Sequence, residues 1–326
     1  MRGNSFGKML SLTSFGESHG KAMGVVLDGV PAGLDFSLED LQEMLDRRAP
    51  GKLAGTTSRK EPDQAEILSG TFEGKTLGTP IAVLVWNKNQ KSEDYQKLKD
   101  ENRAGHADET TMMKYGIRDH RGGGRSSGRE TVARVIAGYF ASLVLPKVKV
   151  SAFISRLGEM VCEKPVKGFG AYSYAEKGKD EEIKSYLLDL KAKGDSVGGI
   201  INVLIEDCPV GLGEPAFDKL KADLGKAMLS IGACVSFSCG LGEKMATKFG
   251  SEVSQDRDHF GGIEGGISNG RKIALNLTFK PTSTIGDKAK EGRHDPCILP
   301  RALVVVESMA RVVLADHFLR QNAYNY

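Results

Sequence analysis

Apolar positions recur with two different periods along the chain, and the two periods together predict interspersed helices and strands. Spacings of three and four residues predict helices over 38–49, 132–144, 180–193, 217–228 and 302–321. Short apolar runs rich in β-branched residues predict strands at 24–30, 79–86, 148–154, 199–207, 233–239 and 272–279. Because helices and strands intermingle and some strands follow one another directly, we predict an α+β fold.

Local signals define several helix ends. Ser37, with Asp40 three residues later, predicts a capped start for the first helix, and Gly194 predicts a C-cap. Ser127 and Glu130 have the spacing of a capping box before the 132–144 helix. Leu38, Leu41 and Leu45 should lie on one face of the first helix, and Phe217, Leu220, Leu224 and Met228 repeat at helical spacing in a later one.

Two stretches repeat along the chain in the same order. "VVLDGVPAGL" (25–34) is similar to "VLIEDCPVGL" (203–212), and "GTPIAVLV" (78–85) is similar to "GRKIALNL" (270–277). In the first pair, a strand leads through Pro-x-Gly-Leu into an amphipathic helix. We therefore predict one domain over 1–326 with two intertwined pseudo-repeats, whose halves are roughly 1–150 and 195–326.

Arginine and glycine concentrate in "RDHRGGGRSSGRETVARV" (118–135), directly before a predicted helix. Free backbone N–H groups, the helix dipole and Arg125 would favour an anion there, so a phosphate-bearing ligand is one interpretation. A capped helix after a flexible glycine turn is the other. "GGIEGGISNG" (261–270) and "KPTST" (280–284) suggest the same kind of ligand more weakly. The long polar segment 87–128 is expected to be a functional loop, and the alternative is a disordered insertion around "NKNQKSEDYQKLKDEN" (87–102).

Composition narrows the class of protein. The net charge is only +3, and the basic residues cluster at 47–60 and 117–134, which favours a small anionic ligand over a nucleic acid. No apolar run or N-terminal signal predicts a membrane span or secretion, so we expect a cytoplasmic protein. Five cysteines without a Cys-x-x-Cys pair favour reduced thiols over disulfides or a zinc site.

The six histidines show no metal-ligand spacing, so we expect no metal. Exposed histidine is the default interpretation of each. His19 in "FGESHGKA" and His106 in "RAGHADE" are nevertheless flanked by glycine and a carboxylate, a context suited to proton transfer near neutral pH. A third, in "GRHDPC", precedes Asp295.

Three motifs in register resemble the chorismate synthase family. They are "GNSFGKMLSLTSFGESHG", "RAGHAD…KYG…D…RGGGRSSGRET" and "GRHDPC…PR…ESMARVVLAD", and the resemblance runs from the first residues to about 320. It implies a single α+β domain with a large mixed sheet of two intertwined repeats, usually assembled as a homotetramer.

The resemblance also implies a reaction, the last step of the shikimate pathway. 5-Enolpyruvylshikimate 3-phosphate would lose phosphate and a ring hydrogen by 1,4-anti elimination to give chorismate. Reduced FMN would be required without net redox change, through transient electron donation. NADPH would matter only if the chain reduces its own flavin, and no nicotinamide-binding fingerprint is present, which favours an outside source.

Site residues follow from the same resemblance. His19 would be the acid near the departing phosphate, His106 would act on the flavin, and Ser18 and Asp295 would assist deprotonation at the flavin nitrogen. The implied FMN-binding residues are Arg125, Ser126, Ser127, Gly232, Ala233, Gly265, Lys280, Pro281, Thr282, Ser283, Thr284 and Arg293. The implied substrate-binding residues are Arg48, Arg103, Arg129 and Arg301.

This chain departs from the family pattern at several positions. Ala54 replaces a common arginine, which Arg59 or Lys60 would have to compensate. Gly232 stands where relatives often have asparagine, alanine precedes Gly105 in place of proline, and the link from 284 to 292 is short. Without the resemblance, a flavin- or nucleotide-binding module or an ordinary flavin oxidoreductase would be the alternative; an oxidoreductase would consume reductant in proportion to product.

Overall fold

A computed structural model describes residues 3–56, 62–87, 102–287, 289 and 295–324. The first of two five-stranded sheets has the order β1 (Ser5–Phe6), β2 (Ser11–Phe15), β3 (Ala22–Asp28), β7 (Ile81–Trp86), β4 (Ala65–Ser69). The second has the order β11 (Cys234–Cys239), β14 (Ile273–Phe279), β10 (Gly199–Glu206), β8 (Lys149–Leu157), β9 (Met160–Val161). Two ribbons pair β5 (Thr71–Phe72) with β6 (Lys75–Thr76), and β12 (Ile263–Glu264) with β13 (Ile267–Ser268).

The named strand pairs are all antiparallel, and one parallel bridge joins Ile154 to Tyr174. The α-helices are α1 (Leu38–Arg48), α2 (Asp108–Tyr115), α3 (Thr131–Val144), α4 (Asp180–Lys193), α5 (Leu220–Leu229), α6 (Gly250–Val253) and α7 (Leu299–Asn322). Strands and helices thus alternate in one α+β domain, as predicted.

The helices α1, α3, α5 and α7 fill the space between the two large sheets. Helix α3 packs on β2 and β3 and against α7, and α7 in turn packs on β8 and β10. Alternating residues of β7 and β14, such as Val83 and Leu275, close the core from the two sides. A single cluster of buried apolar side chains therefore joins both halves of the chain. Among the described helices, none combines the length and the apolar character that crossing a membrane requires.

One sequence prediction about a helix needs correction. Phe217 is 89% exposed and lies outside α5, because Asp218 has a left-handed backbone (φ 56°) that prevents an earlier helix start. Leu38 is half exposed at the first position of α1, although Leu41 and Leu45 are fully buried. The Ser37 cap is confirmed, since its Oγ accepts a hydrogen bond from the Asp40 amide at 3.1 Å.

The start of α3 also differs from the prediction. Two short 3₁₀ turns, Gly124–Ser126 and Gly128–Glu130, lie between Gly123 and the α-helix. Ser127 caps the second turn by accepting from the Arg129 amide. Glu130 does not complete a capping box, because its carboxylate accepts from Ser14 and Arg134 instead.

The two sheets repeat one order of elements. Strand β3 lies between β2 and β7, just as β10 lies between β8 and β14. The similar stretches 25–34 and 203–212 lead from these two strands toward α1 and α5. This correspondence supports the internal duplication and its intertwined halves, which remain a prediction.

Candidate active site

The three consecutive glycines of 122–124 lie against both histidines singled out in the sequence. Gly122 has a left-handed backbone (φ 85°), and a Cβ built on it would lie 2.4 Å from His19 Nδ1. A Cβ built on Gly123 would lie 3.2 Å from His106 Nε2. Glycine is needed here because the backbone must approach two imidazole rings more closely than a side chain permits.

His19 is buried beside Ser18, whose Oγ lies 3.1 Å from His19 Nδ1. The two residues follow β2 in the turn before β3, and both side chains are at least nine-tenths buried. The structure therefore holds the Ser18–His19 pair away from bulk solvent, next to the glycine loop.

His106 belongs to a compact cluster with Arg103 and Asp108. Arg103 donates from Nε to Asp108 Oδ2 at 2.8 Å and from Nη2 to Asp108 Oδ1 at 2.9 Å, while its amide also donates to Oδ2. His106 Nδ1 lies 2.9 Å from Asp108 Oδ1. Arg103 Nη2 also donates to the Gly122 carbonyl at 3.0 Å. The cluster thereby fixes His106 relative to the glycine loop.

Burial and neighbouring charges shift the pKa values of His106 and Asp108. Burial lowers the pKa of His106, and the nearby Arg103 charge lowers it further, although Asp108 acts in the opposite direction. Burial alone would raise the pKa of Asp108, but hydrogen bonds from Arg103 hold it well below the usual range of a carboxyl group. Neutral imidazole and ionised carboxylate are therefore favoured at pH 7.

The "KPTST" stretch lies against the other side of the His106 turn. Lys280 Nζ donates to the Gly105 carbonyl at 2.7 Å, and Ser283 Oγ donates to the same oxygen at 3.0 Å. The Lys280 amide donates to the carbonyl of Ala233, a residue with φ of 68°. The structure therefore brings together His106, Ala233 and the 280–284 segment; their role in binding FMN stays a prediction.

Asp295 connects this segment to a group of arginines. Thr282 Oγ1 donates to the Asp295 carbonyl at 2.9 Å, and Arg301 Nη1 lies 2.8 Å from Asp295 Oδ2. Arg301 Nε also donates to the Arg48 carbonyl at 3.2 Å. Asp295 Oδ1 is buried and has no hydrogen-bond partner among the described residues.

Two predicted substrate arginines share one buried carboxylate. Asp63 pairs through Oδ2 with Arg48 and through Oδ1 with Arg129 Nη1, the latter at 2.5 Å. Burial lowers the pKa of Arg48, while Asp63 opposes this shift. Arg48 is only 1% exposed and Arg129 5%. The structure therefore holds both guanidinium groups inside the protein.

Asn87 links Arg129 back to the histidine turn. Arg129 Nε donates to Asn87 Oδ1, and Asn87 Nδ2 donates to the carbonyls of Glu17 and Gly20. Each of these segments contacts the next, and the last contacts the first, so we call the closed circuit the contact ring. In the order of contact, it comprises 17–20, 122–123, 103–108, 280–283, 295–301, 48, 63, 129 and 87. Both predicted catalytic histidines and all four predicted substrate arginines are members.

Arg125 lies beside this ring. Its guanidinium donates to the carbonyl oxygens of Gly16 at 3.2 Å and Ser14 at 3.1 Å, so it attaches the loop to the end of β2. Ser126 is exposed, and its amide donates to the Gly123 carbonyl. Ser127 is half buried. A role for these three residues in FMN binding remains a prediction.

The remaining predicted ligand residues differ in their surroundings. A Cβ built on Gly232 or Gly265 would meet no atom within 4 Å, so the backbone is open at both positions. Gly265 lies in the β12–β13 turn, where its carbonyl accepts from Lys219, and no described contact joins it to the contact ring. Pro281 is exposed and Thr284 is half buried. Arg293, like Arg59 and Lys60, lies outside the described residues.

Sequence reasoning missed Asp63, Asn87 and Asp108. Asp108 carried a local signal, because it lies two residues after His106 and five after Arg103. Asp63 and Asn87 carried none, since their partners are distant along the chain. A cavity of about 270 Å³ lined by Pro62, Gln64, Ala65, Glu66 and Trp86 shares no lining residue with the contact ring.

The arrangement suits proton transfer beside an anion. Two imidazoles lie against one loop, four arginines belong to the same contact ring, and most of the participating side chains are removed from water. Fixed cations in such a site stabilise developing negative charge more strongly than cations in water.

Comparison with known proteins shows the family to which the chain belongs. A family model described as chorismate synthase matches residues 10–319. A chorismate synthase of Christiangramia forsetii is 47% identical, with 99% of each chain covered, and one of Bdellovibrio bacteriovorus is 46% identical, with 98% of each chain covered. The crystal structure of a chorismate synthase superposes with a TM-score of 0.78 at 31% identity, covering 97% of this chain and 93% of that one. The chain belongs to the chorismate synthase family.

Proposed function

We propose that the chain is a lyase that converts 5-enolpyruvylshikimate 3-phosphate to chorismate by 1,4-anti elimination of phosphate. The observation that carries the proposal is the placement of His19 and His106 against adjacent glycines of one loop, in a contact ring that includes four arginines. An elimination that expels phosphate needs cations for the leaving group and a proton donor beside it, and the contact ring contains both.

In this proposal, His19 is the acid near the departing phosphate. Its burial beside Ser18 keeps its proton from exchanging freely with solvent during the reaction. Arg129 and Arg301, together with Arg48 and Arg103, supply the positive potential for the substrate anions. Arg103 Nη1 has no hydrogen bond to a described residue, so this nitrogen is available to an anion.

The residues present fit FMN. Asp295 has a buried carboxylate oxygen without a hydrogen-bond partner among the described residues, and the open backbone at Gly232 and Gly265 allows close approach of a ligand. We propose that FMN is held by Arg125, Ser126, Ser127, Gly232, Ala233, Gly265, Lys280, Pro281, Thr282, Ser283, Thr284 and Arg293. The chemistry that bound reduced FMN supplies is transient electron donation, which helps to expel phosphate, and acceptance of the ring hydrogen.

We propose that His106, Ser18 and Asp295 carry out the proton transfers of the reaction. His106 holds or takes a proton at Nε2, the ring nitrogen on the side of Gly123. Ser18 and Asp295 assist deprotonation, and the unpartnered Oδ1 of Asp295 is the atom suited to accept a hydrogen bond.

The family also suggests wider properties that we propose for this chain. They are assembly as a homotetramer, a place in aromatic amino-acid biosynthesis and a cytoplasmic location. NADPH is a partner only if the chain reduces its own flavin.

An anaerobic assay tests the function. The full chain is mixed with photoreduced FMN and 5-enolpyruvylshikimate 3-phosphate, and chorismate and remaining reductant are measured together. We expect many turnovers of chorismate for each FMN and no stoichiometric loss of reductant. Consumption of one reductant per product would instead indicate an oxidoreductase, and flavin binding without product would indicate a binding module.

Two single variants separate the site from the fold. His19→Ala and His106→Ala are each expected to lose a factor of roughly 10²–10⁴ in turnover, as for a lost acid–base group. His259→Ala is the matched control, because its ring contacts only the 253–256 region and lies outside the contact ring. Near-wild-type turnover of either site variant at saturating FMN would remove that histidine from the mechanism.

A further inference from the structure

The hydrogen atoms of Arg103 can be assigned one by one. Its Nη2 carries two hydrogens, and two acceptors face it: Asp108 Oδ1 at 2.9 Å and the Gly122 carbonyl at 3.0 Å. The same nitrogen also lies 3.2 Å from His106 Nδ1. With both hydrogens engaged, Arg103 Nη2 has none left to donate to the imidazole.

His106 Nδ1 must therefore carry its own hydrogen. The nitrogen lies 2.9 Å from Asp108 Oδ1, which is an acceptor, and beside an arginine nitrogen that cannot accept. A hydrogen on Nδ1 satisfies this arrangement, whereas a lone pair on Nδ1 would face the carboxylate and be repelled. In the neutral ring, the lone pair then lies on Nε2.

We propose that Asp108 is a positioning residue that fixes His106 in the Nδ1–H tautomer, so that Nε2 is the nitrogen available for proton transfer beside Gly123. Arg103 acts with it, because three hydrogen bonds from this one residue hold the carboxylate in place. The tautomer is a property of the free chain. Its effect on turnover rests on the proposed function.

The charges that face His106 come from several elements. Arg103 and Asp108 lie on its own turn and on α2, and Lys280 approaches from the segment after β14. Arg118 Nη1 lies 3.4 Å from Asp108 Oδ1. Two arginines thus contact the carboxylate and Lys280 lies on the other side of the His106 turn, so among these charges only Asp108 favours a hydrogen on the nearest imidazole nitrogen.

Asparagine at position 108 would reverse this preference. The Oδ2 position faces two donors of Arg103, its Nε at 2.8 Å and its amide at 3.1 Å, so an amide oxygen would occupy that position. The amide NH₂ would then replace Oδ1, lose the hydrogen bond from Arg103 Nη2 and point to His106 Nδ1, which would have to present a lone pair. Asp108→Asn is therefore expected to move the hydrogen to Nε2 without a change in side-chain shape.

Nitrogen NMR tests the assignment without an activity measurement. The full chain, labelled with ¹⁵N-histidine, is measured at about pH 8, where an unperturbed histidine is neutral, and the His106 signals are identified with His106→Gln. We expect Nε2 to show the shift of an unprotonated ring nitrogen in the original chain and that of a protonated one in Asp108→Asn. An unprotonated Nδ1 in the original chain would overturn the proposal.

Asp119→Asn is the matched control. Asp119 accepts from the Nε, Nη2 and amide of Arg121, the same three groups through which Arg103 holds Asp108, but no hydrogen bond joins it to a histidine among the described residues. This variant should leave the His106 signals unchanged. If both aspartate variants changed them equally, a general loosening of the loop would be the cause and the proposal would fail.

Turnover then shows whether Asp108 acts through His106. Asp108→Asn is expected to lose a factor of roughly 10²–10⁴, in the range for general acid–base catalysis, and to lose no further activity when His106→Ala is added. An additive loss in the double variant would indicate a separate, structural role. If the original chain showed the expected tautomer but had no activity, the proposed function would be contradicted and the tautomer assignment would stand.

Discussion

Gly122 and His19 are in such close contact that no Cβ fits between them. The built Cβ would lie 2.4 Å from His19 Nδ1 and 3.1 Å from Ser18 Oγ, at a backbone φ of 85°. The same peptide accepts a hydrogen bond from Arg103 through its carbonyl. One residue thus connects the two histidine segments, which lie more than eighty positions apart in the chain.

Gly122→Ala should therefore impair catalysis more than folding. The added methyl group must displace either the His19 ring or the loop, and a displacement of about 1 Å in a catalytic group can cost about 10² in rate. Gly128→Ala is the control, because Gly128 lies in the same loop with no atom within 4 Å of its built Cβ. Steady-state turnover should fall about 10²-fold for the first variant and stay near the original value for the second. Equal turnover of the two would show that the contact is unimportant.

The buried Asp63 should be a major contributor to stability. Asp63→Asn leaves Arg48 and Arg129 in the interior without their shared counter-charge, at an expected cost of about 3 kcal/mol in the free energy of unfolding. Asparagine tolerates the left-handed backbone at this position (φ 42°), so the change isolates the charge. Urea denaturation measures the cost.

Asp35→Asn is the matched comparison for that measurement. Asp35 pairs with Lys75 on the surface, where its side chain is 85% exposed, and the expected change stays within about 0.5 kcal/mol. A similar small effect at Asp63 would mean that the two arginines find other partners or become solvated.

The pKa of His106 in the FMN-free chain should lie below the ordinary value of about 6.5, because burial and Arg103 disfavour the imidazolium. As the pH falls through 6.5, the His106 imidazole takes up a proton in the unfolded chain before it does so in the folded chain. Stability from this group is therefore present above 6.5 and is lost as the pH decreases toward the folded pKa. An NMR titration gives the value directly, and His106→Gln should remove this part of the pH dependence of unfolding. A titration midpoint above 6.5 would contradict the prediction.

Arg125→Ala should weaken FMN binding by about 10- to 100-fold, the range for charge-assisted hydrogen bonds of about 1.5–3 kcal/mol. Part of this loss would come through the loop, since Arg125 also binds the Gly16 and Ser14 carbonyls. Arg121→Ala is the control, because Arg121 is half exposed and pairs only with Asp119. Fluorescence titration with FMN measures both. An unchanged affinity in the Arg125 variant would leave it a purely structural role.

The sequence was sufficient for elements whose cause is local. The period of apolar residues predicted β14 and α7 to within a few positions, and the Ser37 cap needed only four residues of context. The prediction that a helix begins at Phe217 was wrong, because the apolar periodicity continues through Asp218, whose left-handed backbone prevents the helix from starting there. Such a backbone depends on packing beyond the window over which periodicity is judged.

The site was predictable where its motifs are contiguous and unpredictable where it depends on distant pairs. His106 and Lys280 were singled out from their own surroundings and from the family resemblance. Asp63 could not be found in this way, because its importance arises from two arginines that come from α1 and from the turn before α3. Nothing in "EPDQAE" indicates that this aspartate is buried.

The contact ring also has a consequence for biosynthesis of the protein. Its members begin at residue 17 and end at Arg301, and the ring rests on the buried helix α7, the last described element of the chain. A growing polypeptide on the ribosome therefore has the histidines long before it has Asp295 or the helix that fills the space between the sheets. Because Asp295 and α7 come late in the chain, the histidines can be fixed in the complete site only after α7 has packed between the two sheets.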